Sequence, residues 1–233
     1  MRLLLLSNST LPGEPFFAWP TPYVAAFLDR PMTVAFVPYA AVSFSMDEYA
    51  EVVSKAFAAL GHTLLPLHRE ADPANAVGRA DAVAVGGGNT FQLLRMLYKH
   101  DLIRAIRARV KSGAPYVGWS AGSNVACPSI MTTNDMPIVE PPSFRALDLV
   151  PFQINPHYTE ARIEGHGGES RDQRIAEFLV ANPDKRVIGL REGSLLKVDG
   201  HGMMLQGRGG RLFRKGAEPV DMADGAQLRV DLT

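Results

Sequence analysis

The sequence predicts an α/β protein with a mostly parallel sheet flanked by helices. Three observations carry this. Short runs of consecutive apolar residues recur along the first two-thirds of the chain, amphipathic stretches at helical spacing separate them, and glycine-rich turns follow two of the runs. A strand covered on both faces is apolar at every position rather than at alternate ones. A helix packed on such a sheet needs only one apolar stripe.

Leu3 to Leu6 is the first apolar run and Thr33 to Val37 the second. Met46 to Leu60 reads as a helix with Tyr49, Val52, Val53, Phe57 and Leu60 on one face, ended by Gly61. Thr63 to Leu67 reads as a third strand, and Asp72-Pro73 caps and opens a short helix to Ala80. Ala82 to Val85 is a fourth strand and runs straight into Gly86-Gly87-Gly88-Asn89. Helices are expected from Phe91 to His100 and from Leu102 to Lys111, followed by the apolar run Ala114 to Val117. Pro128 to Pro156 reads as loop, with a short strand from Phe152 that ends in a proline-fixed turn. Ser170 to Val180 is expected to be helical and Val187 to Leu190 a further strand. Beyond Glu192, the turns Asp199-Gly200-His201-Gly202 and Gly207-Arg208-Gly209-Gly210 separate short apolar runs, the pattern of C-terminal β-hairpins.

Bulk properties narrow the function classes. The 233 residues suit one domain, 1–233, with a sizeable core. Lys+Arg and Asp+Glu balance at 24 each, so no general field favours nucleic acid or an anionic membrane as partner. The N-terminal leucines stop at Ser7, too soon for a signal peptide, and no apolar stretch approaches spanning length. The single cysteine, Cys127, cannot pair within the chain and reads as a buried filler. A cytoplasmic location is the expectation.

Gly118-Trp119-Ser120-Ala121-Gly122 has the form of a nucleophile elbow, a serine on a tight strand-to-helix turn. A serine hydroxyl needs a base within reach and a group that holds the base in one tautomer. Among six histidines, His157 follows the short strand Phe152 to Pro156 and sits where the scaffold holds a loop, whereas His62 and His68 read as edge or surface positions. Two acids are candidates for the third group: Glu192, just past the strand Val187 to Leu190, and Asp135, in the polar loop Thr132 to Met136. Gly86-Gly87-Gly88-Asn89 lacks the spacing of a P-loop or dinucleotide site, and beside a serine elbow it reads as an oxyanion hole. No histidine or cysteine pattern with metal-ligand spacing occurs.

Five motifs together resemble the peptidase E, or aspartyl dipeptidase, family of serine peptidases. They are Leu4 to Thr10, Val85 to Leu94, Gly118 to Gly122, Thr132 to Val139 and Gln153 to His157. The resemblance implies hydrolysis of small Asp-Xaa dipeptides, no metal or organic cofactor, and a fold similar to class I glutamine amidotransferases. It implies Ser120 as nucleophile and His157 as base, with Glu192 favoured over Asp135 as the acid and Asp135 kept as a site residue. Oxyanion donors would be Gly87, Gly88 and Ala121. Arg171, in a segment resembling the family's Glu-Thr-Arg-Glu-Gln-Arg-Ile, would grip the aspartyl side chain, with Asn89 a further substrate-binding candidate. The loop Gly165 to Gly168 is expected to order over substrate as a lid. A homodimer is the expected assembly. Pro15-Phe16-Phe17-Ala18-Trp19-Pro20 is more apolar than the family pattern. A relative acting on β-aspartyl or cyanophycin-type peptides, and a silent binding protein on the same scaffold, are the competing readings; a lipase-like esterase is disfavoured by triad order.

Overall fold

The structure, a computed structural model, describes residues 1–161 and 167–230. The chain begins with β1 (Arg2–Leu6), α1 (Thr21–Phe27), β2 (Thr33–Val37), α2 (Met46–Ala58) and β3 (Thr63–Pro66). Next come α3 (Pro73–Arg79), β4 (Ala82–Val85), α4 (Thr90–Lys99), α5 (Leu102–Lys111), β5 (Tyr116–Trp119) and α6 (Ala121–Val125). After a long irregular stretch follow β6 (Gln153–Tyr158), α7 (Arg171–Ala181) and β7 (Arg186–Arg191). The chain continues through β8 (Ser194–Asp199), β9 (Gly202–Gly207), β10 (Gly210–Arg214), β11 (Val220–Met222) and β12 (Gln227–Arg229).

An eight-stranded sheet runs in the order β12-β9-β8-β1-β5-β4-β2-β3, parallel from β1 to β3 and antiparallel from β1 through β12. The consecutive leucines of β1 show why the apolar runs have no alternation. Leu3 and Leu5 join one buried cluster with α3 to α6, and Leu4 and Leu6 join another with α1 and α2. Each such buried side chain contributes about 1.5–3 kcal/mol relative to exposure.

The mostly parallel sheet is accompanied by a second, smaller one. β6 and β7 leave the large sheet and form a second one, ordered β11-β10-β7-β6, with β6 parallel to β7. Ile154, Ile188 and Leu190 pack into the larger cluster, while Tyr158 and Val187 face α7 on the other side. Antiparallel hairpins form at β8–β9 and β10–β11. The turn Gly207 to Gly210 differs from the expected hairpin: it carries the chain from one sheet to the other, as Glu192-Gly193 does between β7 and β8. A side chain on Gly207 would lie 2.1 Å from the Gly193 carbonyl oxygen, so the two crossings touch.

Other departures are local. Helix α1, opened by prolines, adds to the expected elements. β6 continues through Pro156 to Tyr158, so His157 lies in a strand rather than on the loop beyond it. β6 is an edge strand, where a missing proline N–H costs no ladder bond. His62 is buried at 4% exposure, and burial lowers its pKa. His68 is likewise mostly covered and bonds Asp47 at 3.0 Å. Cys127 is a free, fully buried thiol whose pKa burial pushes up to about 12. Of the expected lid, residues 162–166 lie outside the described residues; Gly167 and Gly168 are exposed. Among the described residues no helix is long and apolar enough to cross a membrane.

Candidate active site

Ser120 sits between β5 and α6 with φ 53° and ψ −114°, a conformation a side chain adopts only when its surroundings enforce it. Its neighbours are glycine for a measurable reason. A Cβ on Gly118 would meet the Gly122 carbonyl oxygen at 2.6 Å, and one on Gly122 would meet the Val85 oxygen at 2.0 Å. The elbow is tied down from β1: Ser120 N–H donates to the Leu6 carbonyl at 3.1 Å and Ser123 Oγ to the same oxygen at 2.6 Å.

His157 also has a positive φ, 53°, at a register shift between Pro156 and Tyr158 in the β6–β7 ladder. The bulge turns its ring toward Ser120. Ser120 Oγ and His157 Nε2 are 2.8 Å apart, and His157 Nδ1 and Glu192 Oε1 are 2.7 Å apart. An ionised Glu192 accepts only, so Nδ1 carries the proton and Nε2 is free to accept from the serine. The three side chains come from two sheets, at the ends of β5, β6 and β7.

Two residues not anticipated in this role hold the junction. Ser7 Oγ accepts from the His157 N–H at 2.9 Å and donates to the Leu190 carbonyl at 2.7 Å. Asn8 Oδ1 accepts from the Gly193 N–H at 2.9 Å, directly after Glu192. Their signal in the sequence is their place at the end of the central apolar run, where α/β sites form. Ser7→Ala is expected to lower kcat about tenfold with KM within twofold and a melting temperature a few degrees lower; steady-state kinetics beside thermal melts check the split.

Asp135 lies elsewhere. One carboxylate oxygen accepts from Thr90 N–H at 2.7 Å and Thr90 Oγ1 at 2.6 Å, capping α4. The same loop reaches β6, where Asn134 Nδ2 donates to the Pro156 carbonyl at 2.6 Å. Asp135 thus ties the glycine loop to the strand of His157, while the contact with His157 Nδ1 belongs to Glu192. The Asn89 side chain, expected to bind substrate, bonds the scaffold in this structure. Asn89 Oδ1 caps α4 by accepting from Gln92 N–H at 3.0 Å, and Nδ2 donates to the Met136 carbonyl at 2.9 Å.

The glycine loop approaches the serine closely: a Cβ on Gly87 would lie 3.0 Å from that of Ser120. Gly88 has φ +134° and no room for a side chain, since a Cβ would meet the Ala40 oxygen at 2.2 Å. Ala121 is the first residue of α6, so its N–H lacks an intrahelical partner. No acceptor for the Gly88 N–H is found among the described residues. The Tyr49 hydroxyl accepts from Trp119 Nε1 at 2.8 Å and lies against the glycine loop at Gly86. Beside the serine, Gly88 and Ala121 thus carry N–H groups without a backbone partner among the described residues. Burial raises the Tyr49 pKa well above the usual phenol range, so the phenol stays neutral.

A cavity of about 500 Å³ opens on Ser120, His157 and Glu192, with Gly87 and Gly88 in its wall. Arg171 is not part of that wall. It opens α7, and its neighbour Asp172 accepts from the Tyr158 hydroxyl at 2.5 Å and from Arg211 Nη1 at 3.0 Å. Arg171 is partly buried; desolvation, then Arg174, lowers its pKa. No carboxylate pairs with it among the described residues.

Residues 3–206 match the sequence model of Peptidase family S51. Peptidase E of Salmonella paratyphi A is 48% identical over 226 residues, covering 97% of this chain and 99% of the relative. Among solved structures, a peptidase from an acI-B1 actinobacterium superposes with a TM-score of 0.70 at 16% identity, over 98% of this chain and 96% of that one. A Listeria monocytogenes structure superposes with a TM-score of 0.66 at 24% identity, over 88% of this chain and 98% of that one. These two likenesses speak to the fold.

Proposed function

The chain belongs to peptidase family S51 and is a serine peptidase, and on that premise we propose that it is a dipeptidase that hydrolyses Asp-Xaa through an acyl-enzyme on Ser120. The observation that carries the chemistry is the unbroken chain Ser120 Oγ, His157 Nε2, His157 Nδ1, Glu192 Oε1, with links of 2.8 and 2.7 Å. Ser120 Oγ attacks the peptide carbonyl as its proton passes to His157 Nε2. Glu192 holds the ring in the Nδ1–H tautomer and stabilises the imidazolium that forms. Backbone N–H groups of Gly88 and Ala121 receive the oxyanion, each donor supplying a few kcal/mol to the transition state. His157 then gives its proton to the departing amine, the C–N bond breaks, and water resolves the ester by the same route.

Preference for aspartate requires a cation able to grip a short carboxylate, which a guanidinium does with two parallel bonds. Arg171 fits: it is partly desolvated, it has no carboxylate partner among the described residues, and Asp172 anchors its helix to Tyr158, the residue after His157. Arg171→Ala is expected to raise KM for Asp-Leu about 10- to 100-fold with little change in melting temperature. A panel of Asp-Leu, Glu-Leu, Asn-Leu and Ala-Leu tests the reading. Unchanged kinetics in the variant, or equal cleavage of all four peptides by the parent, overturns the specificity.

A further inference from the structure

The cavity beside Ser120 has a wall that an aspartyl side chain would not choose. Phe16, Phe44, Tyr49, Val52 and Trp119 line it, and its surface is mostly apolar. Among the described residues its carboxylates are Glu48 and Glu192, and no Lys or Arg lines it. We propose that this cavity receives the side chain of the second, departing residue of the dipeptide, and that it selects apolar and aromatic side chains there over acidic ones. The proposal rests on the dipeptidase reading above.

Direction follows from the proton. His157 must protonate the departing nitrogen, so the second residue leaves on the side of the histidine ring. The cavity is bounded by that ring together with Ser120 and Glu192. An aspartate carboxylate placed in it would meet two acids and, among the described residues, no Lys or Arg, at a cost that desolvation increases. The same repulsion acts against an acidic second residue.

Two wall residues are hard to explain by folding alone. Val52 falls on the apolar stripe of α2, yet it is 42% exposed while Val53 and Phe57 are fully buried. Phe44 is 44% exposed and packs edge-on against Tyr49 with ring centroids 5.2 Å apart. Phe16 belongs to the apolar N-terminal segment Pro15 to Pro20. All three converge on one cavity, next to a reacting serine. An apolar side chain bound there covers them and removes its own surface from water. The floor is held rigid, because Tyr49 accepts from Trp119 Nε1 and its hydroxyl lies against the glycine loop at Gly86. Binding at the second residue thus presses on the loop that carries Gly88, where it can help position the carbonyl.

The test compares kcat/KM of the full chain on Asp-Ala, Asp-Leu, Asp-Phe and Asp-Glu. Asp-Leu and Asp-Phe are expected to exceed Asp-Ala about tenfold or more, with Asp-Glu below Asp-Ala. Val52→Arg, at a part-exposed position, is expected to raise Asp-Glu relative to Asp-Phe about tenfold. Phe44→Ala is expected to lower Asp-Phe more than Asp-Ala, and it carries the test if the arginine variant melts early. Equal kcat/KM on all four peptides, or variants that leave the ratios unmoved, overturns the subsite and leaves the dipeptidase reading standing. A parent protein that cleaves Phe-Ala but no Asp-Xaa peptide places the first residue in the cavity and overturns both.

Discussion

Ser120→Ala is expected to lower kcat/KM for Asp-Leu by about 10⁴-fold or more, with a melting temperature within a few degrees of the parent. The two halves of this expectation have separate causes. The serine oxygen bonds His157 Nε2, so its removal deletes the nucleophile. The elbow itself is held by backbone, through Ser120 N–H to Leu6 and through the Ser123 and Asn124 N–H groups to the Ser120 carbonyl. Those bonds survive the substitution. Alanine also tolerates the tight turn as well as serine does, because both carry one Cβ at the same positive φ. Initial rates on Asp-Leu beside a thermal melt check both halves. Residual activity above a few per cent of the parent in a correctly folded variant would refute an acyl-enzyme on Ser120.

How much of this site the sequence discloses depends on whether a feature is local. The elbow and the glycine loop are legible because their constraints lie within a few residues: Gly118 and Gly122 exclude a Cβ against each other and against β4. The consecutive apolar runs disclose the central sheet because burial on both faces leaves no polar position. Ser7 and Asn8 are different. Their partners lie 150 residues away at His157 and 185 residues away at Gly193, and nothing near them states that β1 ends beside both. The second sheet is hidden for a similar reason. Val187 to Leu190 is as apolar as any strand of the large sheet, and periodicity does not say which sheet a strand joins. In the sequence the cavity wall reads as helix core on one side and an apolar segment on the other. Only the cavity that Phe16 and α2 line together turns Val52 from a stripe position into a wall.

The largest contrast between two similar substitutions should come from the two acids. Glu192→Gln is expected to cut kcat about 10³- to 10⁴-fold with little loss of stability, because the Glu192 side chain is 44% exposed and bonds His157 Nδ1. A neutral amide neither stabilises the imidazolium nor enforces the Nδ1–H tautomer, since its NH₂ can turn toward Nδ1 and send the ring proton to Nε2. Asp135→Asn should do the reverse. It weakens a charged cap at the start of α4, where one oxygen accepts from both Thr90 N–H and Thr90 Oγ1, at a cost of about 1–2 kcal/mol. That is a fall of a few degrees in melting temperature, with kcat kept within about tenfold because the carboxylate acts on the glycine loop only through its scaffold. Kinetics and thermal melts on both variants separate the cases. A crossed result, with activity lost in the asparagine variant and retained in the glutamine variant, would move the orienting role from Glu192 to Asp135 and would require the loop Thr132 to Met136 to rearrange when substrate binds.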